Sequence, residues 1–294
     1  MSDARLPKVR GFNRTVSQIV GALDDHYLGR DRPLGEARLL FEIGKSGADV
    51  RDLRARLALD SGYLSRLLRS LERQGLVAAP ATARDRRVRR AKLTRSGVAE
   101  LRELNRRSDQ LAQSILDPLS EAQRARLVGA MAEVERLLAA ATATIDAEDV
   151  SSPDAQYCLG EYYRELAARF ETGFDPAQSL PMEAGELAPP RGAFLVMRLA
   201  GKPVGCGAFK ELAEGAAYLK RMWIAAPARG LGLGRRLLDA LEARARAGGY
   251  RLARLETNRA LTEAQSLYRR CGYREIAPFN DEPYAHHWFE KALG

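Results

Sequence analysis

Cysteine is scarce in this chain of 294 residues. Cys158, Cys206 and Cys271 lie far apart and form no CxxC pair. An odd, unclustered set excludes a disulfide framework and points to a reducing, cytoplasmic setting. Histidine is as rare: there are three, with His286 and His287 adjacent. They give no zinc-ligand spacing, so no metal site is expected. Long apolar runs are missing too. The longest uncharged stretch is ten residues, 74–83, and 15–23 and 137–145 have nine each, against about 20 for a membrane-spanning helix. The opening MSDARLPKVRGFNR has no apolar stretch of signal-peptide type, so neither secretion nor a membrane partner is expected. Internal repeats and low-complexity tracts are absent as well.

What is present describes a folded, two-domain protein. Apolar residues make up 46% and charged residues 29%, and at about 150 residues per domain the length predicts two. The apolar period fades between Ala140 and Asp154, where small and acidic residues take over and Ser151-Ser152-Pro153 marks a break. The expected domains are therefore 1–146 and 147–294. The net charge of +9 is uneven. Its sharpest local excess is Arg84-Asp85-Arg86-Arg87-Val88-Arg89-Arg90-Ala91-Lys92, six positive charges and one negative. Such a run is either a solvated loop or an arm that contacts phosphates, because a polyanion relieves the repulsion.

The first half reads as helices. Phe12, Val16, Ile19, Val20 and Leu23 recur at helical spacing. A second helix covers about Leu34 to Ile43 and stops at Gly44, and a third carries Val50, Leu53 and Leu57. Asp60 or Ser61 caps a fourth, with Leu64, Leu67, Leu68 and Leu71 as its buried stripe. Leu76–Ala79 and Ala91–Thr94 read as short strands flanking the basic run. A long helix follows to about Ile115, and a last one carries Leu127, Met131, Val134, Leu137 and Leu138. Helix, turn, helix and basic hairpin make a winged helix-turn-helix, whose second helix enters a major groove about 12 Å wide.

The series Ser65-Arg66, Leu71-Glu72-Arg73-Gln74-Gly75-Leu76-Val77, Asp85-Arg86-Arg87 and Leu93-Thr94-Arg95-Ser96-Gly97 resembles the MarR family of transcriptional regulators. The resemblance covers roughly 10–145. It implies a homodimer formed by the terminal helices and a pseudo-palindromic double-stranded DNA operator. It places Asp85 at the wing tip, orienting Arg87 toward the minor groove beside Arg86. Ser61, Gly62, Tyr63, Ser65 and Arg66 are then expected near base edges or phosphates, while Arg69 and Arg73 are either further contacts or solvated charges.

In the second half, strand-like runs cover 193–199, 203–209 and 217–224. Then comes Arg229-Gly230-Leu231-Gly232-Leu233-Gly234-Arg235-Arg236, followed by an amphipathic helix with Leu237, Leu238, Leu241 and Ala245 on one side. A glycine-rich turn opening a helix is either a simple capping loop or an anion site, since unpaired N–H groups and the helix dipole favour a phosphate there. Neither GxGxxG nor GxxxxGK[ST] fits the spacing. Arg-x-x-Gly-x-Gly, followed by Glu256-Thr257-Asn258 and by Leu267-Tyr268-Arg269-Arg270-Cys271-Gly272-Tyr273, resembles the GNAT N-acetyltransferases over about 155–294. The implied fold is an α/β (α+β) domain with a mixed, splayed sheet that admits acetyl-CoA.

That resemblance implies roles. The diphosphate is expected on N–H groups of Gly230, Leu231, Gly232, Leu233, Gly234 and Arg235, helped by Arg229, Arg235 or Arg236. Met222, Trp223 and Ile224 are expected to hold the pantetheine arm, and Asn258 belongs to the second cofactor element. Tyr268 matches the general acid for the departing thiolate; the plainer alternative is a packed aromatic. The family's usual glutamate position holds Tyr218, so Glu256 is the candidate base, against a cap or surface role. Cys271 has no neighbouring histidine to activate it, and a covalent route is the weaker choice. His286 or His287 on a last strand, and Tyr157, Tyr162, Tyr163, Phe170 and Phe174, are candidates for the acceptor pocket. The combined expectation is a bifunctional regulator and N-acetyltransferase for a small amine or amino acid. The alternative is a regulator whose second domain only senses acetyl-CoA or a metabolite.

Overall fold

The computed structural model describes residues 5–78, 81–82, 85–181, 183–212 and 215–294, and for 81–82 and 85–88 the backbone alone. The chain divides into two compact units, Met1–Val128 and Gly129–Gly294.

In the first unit, helix α1 (Arg5–Ile19) has no buried residue. Helix α2 (Leu34–Ile43) ends where Gly44 takes φ 57 and its N–H bonds to Leu40. Strand β1 (Ala48–Asp49) leads into α3 (Val50–Leu57) and then α4 (Ser61–Arg73). Asp60 is the cap of α4, its carboxylate accepting from the Tyr63 N–H at 2.9 Å. The leucine stripe Leu64, Leu67, Leu68 and Leu71 is buried with Leu39, Leu40, Ile43 and Leu53 in one core. Each such side chain contributes about 1.5–3 kcal/mol. Strand β2 (Val77–Ala78) pairs antiparallel with β4 (Asp85–Leu93), as do β1 and the short β3 (Ala81–Thr82). The basic run is thus itself strand rather than the loop between strands. Thr94 caps α5 (Arg95–Leu116) by accepting from Gly97 N–H at 3.0 Å. Only the first turns of α5 are buried, through Gly97, Glu100, Leu101 and Leu104.

Helix α6 (Glu121–Ala141) carries the division between the units. The composition break expected at 146/147 falls inside strand β5 (Thr144–Glu148), which pairs with β6 (Gly192–Leu199). The second unit continues with α7 (Pro153–Arg169), capped by Ser152, then β6, β7 (Lys202–Leu212), β8 (Ala216–Ile224), α8 (Leu233–Ala247), β9 (Leu252–Thr257), α9 (Thr262–Arg270), β10 (Arg274–Ile276) and β11 (His287–Ala292). The seven strands run β10-β11-β9-β8-β7-β6-β5, all antiparallel except β8 with β9.

Alternation along β6 divides the core between the two faces of this sheet. Ala193, Leu195 and Met197 join Leu237, Leu238 and Leu241 of α8, whereas Phe194 and Val196 join Cys158 and Leu159 of α7. In β8 the alternation changes phase. Ala217 and Leu219 face the α8 side, but so do Met222 and Ile224, while Trp223 faces α7. The cause is Arg221, in the left-handed region at φ 60, where the register with β7 shifts. This is a β-bulge, one extra residue that flips the faces beyond it. Holding a non-glycine residue there costs of order 1–3 kcal/mol. Next to the bulge, Gly205, in register with Ile224, has no room for a side chain, since a Cβ would lie 2.8 Å from the Trp223 carbonyl oxygen.

Candidate functional site

The parallel pairing of β8 with β9 lasts only from Ala216 to Tyr218, opposite Leu252 to Arg254. Beyond it the strands part, and the edge of β8 from Leu219 onward has no partner strand on that side among the described residues. Two cavities open there.

The larger has a volume of about 560 Å³ and is lined by Met222, Trp223, Ile224, Arg229, Gly230, Gly232, Leu233, Gly234 and Arg235 from β8 and the glycine turn. Tyr162, Glu165, Leu166 and Arg169 of α7, and Leu261, Glu263, Leu267, Tyr268, Arg270 and Cys271, also line it. Gly230 and Gly232 take φ 79 and 74, where a side chain is strained. Gly232 caps α8 with no side-chain hydrogen bond, so the first N–H groups of that helix face the cavity mouth unclaimed by a cap. Two expected cofactor contacts are not on this wall. Leu231 packs against the core, and Asn258 lines the smaller cavity. The amide of Asn258 is committed, donating to Tyr284 O at 2.8 Å and accepting from Ala260 N–H at 2.9 Å.

The arginines divide by what already holds them. Arg229 donates to Ile224 O at 2.8 Å and pairs with Glu165, which also accepts from the Trp223 indole at 2.9 Å. Burial raises the Glu165 carboxyl, but the bonds from Arg229 and Trp223 outweigh it and leave it below its usual range. Arg236 donates to the carbonyls of Ala140 and Ala143. These two side chains shape the turn instead of waiting for an anion. Arg235 is exposed, with Asp239 no nearer than 3.6 Å. Exposed Arg270, which no sequence motif singled out, lines the same cavity and has no ion pair among the described residues.

The smaller cavity, about 70 Å³, shares Tyr162, Leu166, Met222, Leu261 and Tyr268 with the larger. Its remaining wall includes Phe170, Phe174, Lys220, Arg221, Glu256, Glu282 and Tyr284. Lys220 Nζ bridges the splayed strands, 3.5 Å from Glu256 and 2.9 Å from Glu282. All three side chains are at most 7% exposed. Oε2 of Glu256 and Oε1 of Glu282 are buried with no hydrogen-bond partner among the described residues. Burial raises the Glu256 carboxyl above its usual range, against the pull of Lys220. The Tyr268 phenol, at the junction of the cavities, is raised by burial and then by Glu256, so it stays protonated. Its ring packs on Tyr273 and Phe289 at 5.8 and 5.9 Å. Burial also raises the Cys271 thiol, which disfavours the thiolate a covalent route needs.

Of the aromatic candidates, Tyr162, Phe170 and Phe174 reach the smaller cavity; exposed Tyr157 does not. Neither histidine lines it. His286 is exposed, and the β11 residue His287 places Nδ1 2.6 Å from Glu275. Glu282, Lys220 and Arg221 were not selected from sequence because no motif marks them. Strand splay and one loop bring them together. Among the described residues no cluster suits a metal ion, and no helix is long and apolar enough to cross a membrane.

On the first unit, Ser61, Gly62, Tyr63 and Arg66 lie on the exposed side of α4, with Ser65 bonded to Ser61 O at 2.7 Å. Arg66 stacks over Tyr63 at 5.7 Å. Arg66, Arg69 and Arg73 form a stripe at helical spacing, and among the described residues no carboxylate pairs with them. Asp85, Arg86 and Arg87 lie on β4, but their side chains fall outside the described residues.

Residues 159–273 match the acetyltransferase (GNAT) family, and residues 29–88 match the MarR family. An IAA acetyltransferase of Azospirillum brasilense is 42% identical over 99 residues, which are 33% of this chain and 63% of that protein. Among solved structures, a GNAT-family acetyltransferase from Staphylococcus aureus is 19% identical, with a TM-score of 0.45 over 52% of this chain and 100% of its own. An IAA acetyltransferase from Bacillus cereus is 16% identical, with a TM-score of 0.36 over 51% of this chain and 99% of its own. The chain joins a MarR-family segment to a GNAT-family acetyltransferase segment.

Proposed function

We propose that the protein is a DNA-binding regulator that also transfers an acetyl group from acetyl-CoA to an acceptor amine. The observation that carries the enzymatic half is the splay of β8 from β9. It opens a glycine-lined cavity onto Tyr268, and Glu256 beside it holds a buried oxygen with no hydrogen-bond partner among the described residues.

The residues fit a coenzyme A thioester. The N–H groups at the start of α8, Arg235 and Arg270 supply positive potential for phosphates. The unpartnered edge of β8 offers backbone groups to an amide-bearing arm, as an added strand would use them. When bound, the coenzyme supplies an acyl carbon activated as a thioester. Glu256 takes a proton from the acceptor nitrogen, which attacks that carbon directly. A backbone N–H on the free edge of β8 would be available to the acyl oxygen, and a donor of this kind contributes about 2.7–4 kcal/mol. Tyr268 holds a proton at Oη for the departing sulfur. The test is Tyr268→Phe. Acetyl transfer should fall about 10²–10⁴-fold, with the thermal shift on adding acetyl-CoA retained. An equally active variant removes Tyr268 as the acid, and no shift in the native protein removes the coenzyme site.

For the regulatory half, the arginine stripe of α4 has no counter-charge among the described residues and suits the phosphates flanking a major groove. The resemblance to the MarR family assigns Arg86 and Arg87 of β4 to the minor groove. Helix α1 buries nothing, and Leu6, Val9, Phe12, Val16 and Ile19 are exposed along it. A second copy of the chain would cover that face and give the homodimer a pseudo-palindromic operator requires.

A further inference from the structure

The smaller cavity holds opposite charges that do not satisfy one another. Lys220 is spent between Glu256 and Glu282, yet each carboxylate still has one buried oxygen with no hydrogen-bond partner among the described residues. The next residue, Arg221, lines the same cavity and is absent from the wall of the larger one. Its guanidinium lies over the Tyr163 ring at 4.9 Å, and no carboxylate or carbonyl accepts from it among the described residues. Its backbone is left-handed, a position glycine would occupy without strain. An arginine stands there instead, with five side-chain N–H donors to offer.

From this juxtaposition we infer that the acceptor is an amine that also carries a carboxylate, with a free amino acid as the simplest case. Arg221 receives the carboxylate, and the unpartnered oxygens of Glu256 and Glu282 receive the ammonium. The inference rests on reading the splayed-strand cavities as an acetyl-transfer site. A plain amine would leave the guanidinium unmatched, and a polyamine would set a second cation against it. A cavity of about 70 Å³ exceeds the roughly 10–15 Å³ that one water needs, so it admits a small polar head group.

The chemistry balances on these groups. The ammonium gives one proton to Glu256, and its freed lone pair forms the bond to the acyl carbon. The carbon–sulfur bond breaks, and the sulfur keeps the electron pair and takes a proton from Tyr268. The nitrogen's second proton restores Tyr268, and the proton on Glu256 passes to solvent. The amide product keeps its carboxylate and loses its positive charge, so Glu256 and Glu282 no longer hold it, which favours release.

The experiment uses the full chain with acetyl-CoA and follows thiol release. Its acceptors are L-alanine, L-alaninamide and ethylamine, then L-phenylalanine, L-phenylalaninamide and phenethylamine. The native protein should favour an acid over its amide and amine by about ten-fold or more in kcat/KM, because an acceptor without a carboxylate leaves a desolvated guanidinium unpaired. Arg221→Gln should erase that preference, mainly through KM. Amines or amides used as well as the acids would overturn the inference and leave the transfer reading standing. A preference that survives in Arg221→Gln would remove Arg221 from it. No thiol release with any acceptor would overturn both.

Discussion

Glu256→Gln separates a catalytic carboxylate from a structural one, because the two roles predict opposite outcomes. Burial raises the Glu256 carboxyl in the folded chain. As pH rises through the ordinary glutamate range the unfolded chain ionises first, so charging this group costs the folded state stability. That cost grows until pH passes the folded value and is constant above it. Glutamine never ionises and escapes the cost. Lys220 is not stranded by the change, since Glu282 remains at 2.9 Å; stranding it would cost about 3–5 kcal/mol. The melting temperature of Glu256→Gln at pH 7–8 should therefore equal or exceed that of the native chain, and the difference should close below about pH 4. Catalysis should move the other way. Losing the proton acceptor lowers kcat/KM about 10²–10⁴-fold, which at about 1.36 kcal/mol per factor of ten is roughly 3–5 kcal/mol of barrier. The ratio of native to variant rates, measured against pH, cancels the acceptor's own titration. It should fall on the acid side with a midpoint above the ordinary carboxyl range. A variant within about three-fold of native activity, or one that melts early with its rate intact, would refute the reasoning.

Two further predictions concern the first unit. Replacing Arg66, Arg69 and Arg73 by alanine should weaken binding to double-stranded DNA and lower the slope of log K against log salt by about 0.9 for each phosphate the protein no longer neutralises. Stability should stay within about 0.5 kcal/mol, because none of the three is buried; an unchanged salt slope would take α4 out of the interface. Phe12→Glu combined with Val16→Glu puts charge on the exposed face of α1. Sedimentation velocity should then show a monomer, against the dimer proposed for the native chain, and an unaltered dimer would place its interface elsewhere.

What the residues disclose in advance follows from how local the causes are. Helix α4 is legible because its cap, its leucine stripe and its terminal glycine are short-range signals that agree with one another. The turn at Arg229 is legible for the same reason. The side chain of Arg229 is not, because its partner Glu165 lies on α7, far away in sequence. Strand β5 looks like a linker. Its acidic and small residues suit an edge strand paired on one side only, and Arg198 of β6 compensates them through Asp146 and Glu148. The basic run hides its strand because six charges mask any alternation. Glu256 is found through its place at the end of a strand. Glu282 is not, since it sits in a loop whose route to Lys220 is fixed only by packing.

The site's chemistry traces to one inserted residue. Without the bulge, strict alternation would leave Met222 and Ile224 on the face opposite Leu219. With it, both return to the α8 side, toward the core around the glycine turn. The same irregularity coincides with the loss of pairing to β9 beyond Tyr218. Lys220 and Glu256 lie two residues past the last registered pair, Tyr218 with Arg254, and meet across the gap as an ion pair at 3.5 Å instead of across a ladder. A straight β8 would pair with β9 throughout and close the space that both cavities occupy. The strain at Arg221 is therefore the cost of an open sheet, and the side chain that bears it is a cation the opening leaves for a ligand.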